Sequence, residues 1–185
     1  SIERTRPSKL GGTSHLKREA IMSEITAGEL LEQRDTLEYE AASLLGHMLF
    51  EFSRLDVNLG LCLVWVDGGV RIESLTKAVE KLSLKAKLDE LVKHVVAKSP
   101  TGSECRRAYE IWIERANLVR EQRNNLVHGR WGVEAHKNKI VNVIGLPTSN
   151  AQQTIEYTLE ELAEVNNELR ELLCELTRLR EHWPL

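Results

Sequence analysis

The run Arg123-Asn124-Asn125-Leu126-Val127-His128, followed by Gly129-Arg130-Trp131, puts a permanent cation and a titratable imidazole near the end of one amphipathic stretch. A guanidinium grips phosphate through two parallel N–H donors. An imidazole moves protons near neutral pH. Those two groups suffice to cleave an RNA phosphodiester without a metal. A base removes the 2′-hydroxyl proton, the oxygen attacks its own phosphorus, and the guanidinium stabilises the charge that develops. DNA lacks that hydroxyl and should resist. The candidate catalytic residues are therefore Arg123, His128 and the intervening Asn124. Arg120, Arg130 and Asn125 are candidate substrate contacts, with Arg115 a further cation on the same helix.

Ala108, Trp112, Ala116 and Val119 form the apolar line of this helix, and Arg123 continues it. Its guanidinium should face the core or a groove, where a charge needs a partner. Glu51, Arg54 and Asn58 form a polar line on an earlier helix that could supply one. His128 comes five residues after Arg123, a rotation of about 140° on an ideal helix. The pair converges only if the helix unwinds at Gly129 or if two copies meet across a symmetric interface. Asn124 shares the His128 face and could hold one imidazole tautomer. The same spacing also fits an internal ion pair and a helix-terminal histidine.

Around this segment the sequence reads as an all-α bundle of about five helices, with a small β-hairpin insertion before the last helix. Residues 1–14 read as a flexible arm and residues 15–185 as a single helical domain. Helices are expected from about His15 to Gln33, and from Asp35, with Glu38 completing a capping box, to about Val66. Asp67-Gly68-Gly69 stops the second. A third is expected over Ile72–Lys98 and a fourth over Glu104–His128, opened by Thr101 and closed by a left-handed Gly129. Trp131 to Ile144 alternates as a hairpin turning at Asn138, with Trp131 anchoring it to the bundle. Gly145–Thr154 reads as a polar connection. Thr158 with Glu161 opens the last helix, whose Leu162, Val165, Leu169, Leu172, Leu176, Leu179 and Trp183 form a heptad-like seam. That seam suits packing within one bundle or pairing between subunits.

The formal charge of -3 excludes a globally basic coat for nucleic acid, so any polyanion must be held by a local cluster. Cys62, Cys105 and Cys174 match no zinc spacing and no disulfide framework, which fits a reducing cytoplasm. No metal-ligand arrangement, phosphate loop, leader or membrane-length apolar run is read. No cofactor is expected.

The Arg123–His128 segment resembles the Arg-x(4–6)-His signature of the HEPN superfamily, in which a polar residue, here Asn124, follows the arginine. Its place late in a helical bundle, with one more helix following, agrees. The resemblance covers roughly Leu37 to Trp183. It implies a metal-independent endoribonuclease, usually a homodimer with a composite cleft, often a toxin of a toxin–antitoxin module or an antiviral effector. RNA, a second copy and an antitoxin or regulatory protein are the implied partners. By that resemblance Arg123 binds the scissile phosphate, His128 serves as general base or acid, and Asn124 orients the site. A toxin subgroup controlled by adenylylation carries a Tyr two residues after the His; Arg130 stands there, which argues against that control. Inactive structural members also exist. Two other classes stay open: a non-catalytic helical interaction module, and a nucleotide-binding regulatory subunit that holds phosphate without cutting.

Overall fold

The computed structural model describes residues 25–185. The expected arm and the expected helix start at His15 lie outside them. The first described element, α1 (Ala27–Val64), is one helix of 38 residues. Thr26 opens it. Its hydroxyl accepts from the Glu29 amide at 3.2 Å, and the Glu29 carboxylate accepts from the Thr26 amide at 2.8 Å. The two helices expected on either side of Asp35 are therefore continuous. Asp35 and Glu38 have capping spacing, but no glycine or proline breaks the run before them. Asp35 sits exposed in mid-helix, paired with Arg34 at 2.9 Å. The predicted stop holds: beyond α1, Gly68 and Gly69 take positive φ of 73° and 86°.

The single helix expected over Ile72–Lys98 is instead α2 (Ile72–Val79) and α3 (Leu84–Lys98). Ser83 divides them, its hydroxyl accepting from the Ala86 amide at 3.3 Å. Such a local side-chain bond competes with helix continuation. The next helix, α4 (Glu104–His128), starts on Ser103 and not on Thr101. Ser103 accepts from the Arg106 amide at 3.3 Å, while the Thr101 hydroxyl takes the Arg106 guanidinium at 3.1 Å.

Strands β1 (Arg130–Glu134) and β2 (Lys139–Ile144) form the expected hairpin, with Asn138 at φ 53° in its turn. A third strand, β3 (Gln153–Tyr157), pairs antiparallel with β2, Ile140 opposite Tyr157 and Val141 opposite Glu156. The insertion is thus a three-stranded sheet in the order β1-β2-β3. The connection Gly145–Thr154 ends inside that third strand. Its apolar alternation, Ile155 and Tyr157, is too short to register a period of two.

The last helix, α5 (Leu159–His182), opens on the predicted Thr158–Glu161 box. Its seam leucines Leu162, Leu169, Leu172, Leu176 and Leu179 are buried against α1 and α4. The seam is filled inside the chain, and burying it supplies most of the drive for docking α5. Polar pins set its position. Buried Asn166 donates to the Leu44 carbonyl at 3.0 Å, and Trp112 Nε1 donates to the Leu172 carbonyl at 2.8 Å. Among the described residues no helix is long and apolar enough to cross a membrane.

Glu51 ties α1 to α5. It is 6 % exposed and lies between Arg54 at 2.9 Å and Arg170 at 3.1 Å. Burial alone would raise its carboxyl pKa, but the hydrogen bonds and charges of Arg170 and Arg54 outweigh it and hold the carboxyl below its usual value. A depressed acid stabilises the fold above its unfolded pKa of about 4.3 and loses that contribution as pH falls through the lower folded value. Glu51→Gln should therefore melt below wild type at neutral pH, with the gap narrowing once the pH is taken below about 4.3. Thermal melts at both pH values check this.

Candidate functional site

The last two turns of α4 carry Arg123, Asn124 and His128, and the helix stays regular through His128. It does not unwind ahead of Gly129. Within one chain Arg123 and His128 therefore diverge by about 140° around the helix axis. His128 is exposed and Arg123 half-buried.

The surroundings of Arg123 are neutral. Its guanidinium carbon lies 4.7 Å from the centroid of the Phe52 ring on α1. Its Nη1 donates to Asn124 Oδ1 at 3.3 Å, and its Nε is buried with no hydrogen-bond partner among the described residues. Among the described residues no carboxylate pairs with it. Glu51, the expected neighbour, is held by Arg54 and Arg170, and Asn58 donates to the Arg54 carbonyl at 2.9 Å. Glu51 and Phe52 are adjacent but about 100° apart on the helix, so one meets α5 while the other meets α4. An aromatic face attracts a cation by roughly 0.5–2 kcal/mol and leaves its net charge intact. Arg123 thus keeps a full positive charge beside an unpaired donor. Asn124 gives its amide oxygen to the guanidinium, so it orients Arg123.

The other candidates divide by side. Among the described residues Arg120 pairs only with exposed Glu121, at 3.0 Å, and its Nε is also buried without a partner there. Arg130 is exposed at the start of β1. Arg115 is engaged by Glu168, Glu171 and Glu175 of α5, so its charge is already matched. Asn125 faces away from Arg123 and lines a groove of about 820 Å³ with Glu156, Glu161, Glu164, Glu168 and Glu171. Five carboxylates repel a phosphate chain. Arg120 and Arg123, about 60° apart on the helix, face away from that groove. Among the described residues, no group of three or more His, Cys, Asp or Glu side chains could hold a metal ion.

The end of α4 is fastened by the sheet. Buried Asn142 on β2 donates to the Asn125 carbonyl at 2.9 Å, and Trp131 Nε1 on β1 donates to the Leu126 carbonyl at 3.0 Å. Two carbonyls of the last turn are thereby capped by side chains. Trp131 anchors the sheet as expected, with its ring 5.9 Å from that of Tyr157. Gly129 does not adopt the expected left-handed conformation; it is extended, at φ -92° and ψ 167°. Glycine is needed there for space. A Cβ would stand 1.4 Å from Asn142 Oδ1. Phe52 and Asn142 are the functional neighbours that motif spacing does not reveal. Asn142 carries a signal, as the one amide inside the apolar run Ile140–Ile144.

No family model matches the chain, and no curated protein or solved structure matches it.

Gly129→Ala should destabilise the fold by about 1–3 kcal/mol through overpacking. Asn142→Ala should cost about 1–3 kcal/mol by leaving the Asn125 carbonyl without its donor. The double variant should lose less than the sum, since the same amide causes the clash and makes the cap. Urea denaturation of the three variants measures this coupling.

Proposed function

We propose that this chain is a metal-independent endoribonuclease of HEPN type, with Arg123 holding the scissile phosphate and His128 moving the proton. One observation carries the reading. Arg123 is a half-buried guanidinium on a neutral platform, while Arg115 is matched to glutamates of α5 and Arg54 and Arg170 share one carboxylate, Glu51. A cation kept free of acids, with a buried unpaired Nε, is an anion site in waiting. Arg120 and Arg130 extend it along a phosphate chain.

In the reaction His128 takes the 2′-hydroxyl proton, and the 2′-oxygen attacks phosphorus as the bond to the 5′-oxygen breaks. The imidazolium returns the proton to the departing 5′-oxygen. The products are a 2′,3′-cyclic phosphate and a 5′-hydroxyl. The guanidinium stabilises the pentacoordinate phosphate. Because the two side chains diverge around one helix, the working site takes Arg123 and His128 from two copies of the chain. A toxin–antitoxin or defence setting in the cytoplasm, with an inhibitory protein partner, belongs to the same proposal.

RNA digestion in EDTA tests it. Wild type should cut, His128→Ala should lose about 10²–10⁴-fold in rate, and a 2′-deoxy residue at the cut site should abolish cutting. His128 is exposed, so the variant should melt with wild type. Full activity in His128→Ala, or cutting at the deoxy site, refutes the mechanism.

A further inference from the structure

The groove of about 820 Å³ that Asn125 lines repels phosphate and faces away from Arg123. Two features define what fits it. The first is charge, from Glu156, Glu161, Glu164, Glu168 and Glu171. Arg115 engages Glu168 and Glu171, Lys137 engages Glu156 at 3.4 Å, and the Thr158 amide engages Glu161. Glu164 is exposed, with no ion-pair partner among the described residues. The second feature is main chain. Ile155, Glu156 and Tyr157 of β3 all line the groove. By register Ile155 and Tyr157 share a sheet face with Trp131 and Val133, and Glu156 lies on the opposite face. Residues of both faces border the groove, which places it along the edge of the strand. That edge is open, since β3 is an outer strand paired with β2 alone. Alternate residues of β3 therefore turn N–H and C=O groups away from β2, and among the described residues no backbone group pairs with them. Such an edge accepts an extended peptide as an added strand. The groove thus suits an extended, cationic polypeptide.

We propose that residues 2–9 of this same chain occupy the groove, extended along β3 with their cations among the α5 glutamates. Charge selects this occupant. Residues 1–18 carry Arg4, Arg6, Lys9, Lys17 and Arg18 against one acid, Glu3, in a chain whose total charge is -3. Ile2, Arg4 and Arg6 alternate, so an extended chain turns all three to one side, with the two guanidinium-bearing residues about 7 Å apart. Glu164 and Glu168 follow each other at about 6 Å along α5. Pro7 brings no amide donor and ends the added strand, as an edge permits. The chain is also long enough. The first turns of α1 sit beside the start of α5, where Glu29, Gln33 and Leu37 line a hollow with Asn138 and Leu159. From Thr26 to the far end of the groove at Glu171 is roughly 40 Å along the surface, counting two helical runs and one helix width. The 15 residues from Leu10 to Ile25 span up to about 50 Å. Covalent attachment makes the docking intramolecular, which favours this segment over a separate peptide of like charge.

Hydrogen exchange of the full chain, read at the β3 amides by NMR, tests this without RNA. In wild type the outward amides of β3 should be protected. The double variant Arg4→Glu/Arg6→Glu should speed their exchange at least about tenfold, and so should Glu164→Lys/Glu171→Lys on the groove side. Trypsin should likewise cut after Lys9 more slowly in wild type than in the groove variant. Glu164 and Glu171 are exposed, and Arg115 keeps Glu168 and Glu175, so circular dichroism should show both double variants folded. Outward amides that exchange at the unprotected rate in wild type overturn the proposal. So does protection that persists in either double variant, since something else then covers the edge. Protection that rises with protein concentration overturns it too, because the occupant is then another molecule. Arg123 and His128 are untouched in these variants, so the nuclease reading and this docking stand or fall separately.

Discussion

Asn142 sits where a glycine must face it. The amide on β2 reaches the last turn of α4, donates to the Asn125 carbonyl, and fills the space a side chain at residue 129 would need. Helix ends leave carbonyls that must find donors. Here the donors come from the insertion, Asn142 and Trp131 together, and not from a left-handed turn. The direction in which α4 ends, and hence where His128 points, follows from that contact. The sheet is a bracket on the helix that carries the candidate site.

The bundle behind α4 segregates charge. On one side four glutamates of α5 and Glu156 of β3 surround the groove that Asn125 lines, and three glutamates of α5 neutralise Arg115. On the other side Arg123 rests on an aromatic ring with no acid paired to it among the described residues. A net charge of -3 would not suggest anion binding. The distribution of charge around one helix does, because field at a site depends on near neighbours more than on the total.

Much of this architecture is legible in the sequence, and for identifiable reasons. The Thr158–Glu161 box and the leucine seam mark α5 because capping and burial agree there. Asp67-Gly68-Gly69 ends α1 because two positive φ angles favour glycine. Where signals compete, local reading fails. Asp35 and Glu38 imitate a cap inside a helix that Thr26 and Glu29 open, and Ser83 hides in a run whose apolar spacing continues through it. The third strand is missed because pairing with β2, and not its own pattern, makes it a strand. At the site, Arg123, Asn124 and His128 are visible by type and spacing. Their environment is not. Whether a guanidinium meets Glu51 or Phe52 depends on how α1 is rolled against α4, a tertiary fact no local pattern carries.

The cap shared by α4 and the sheet also determines how this region comes apart. Peeling the sheet away would strip donors from the Asn125 and Leu126 carbonyls at once, and fraying the helix would leave Asn142 buried with nothing to hold. Neither event is cheap alone, so the final helical turn and the three strands form one cooperative opening unit, whose slowly exchanging amides would open together.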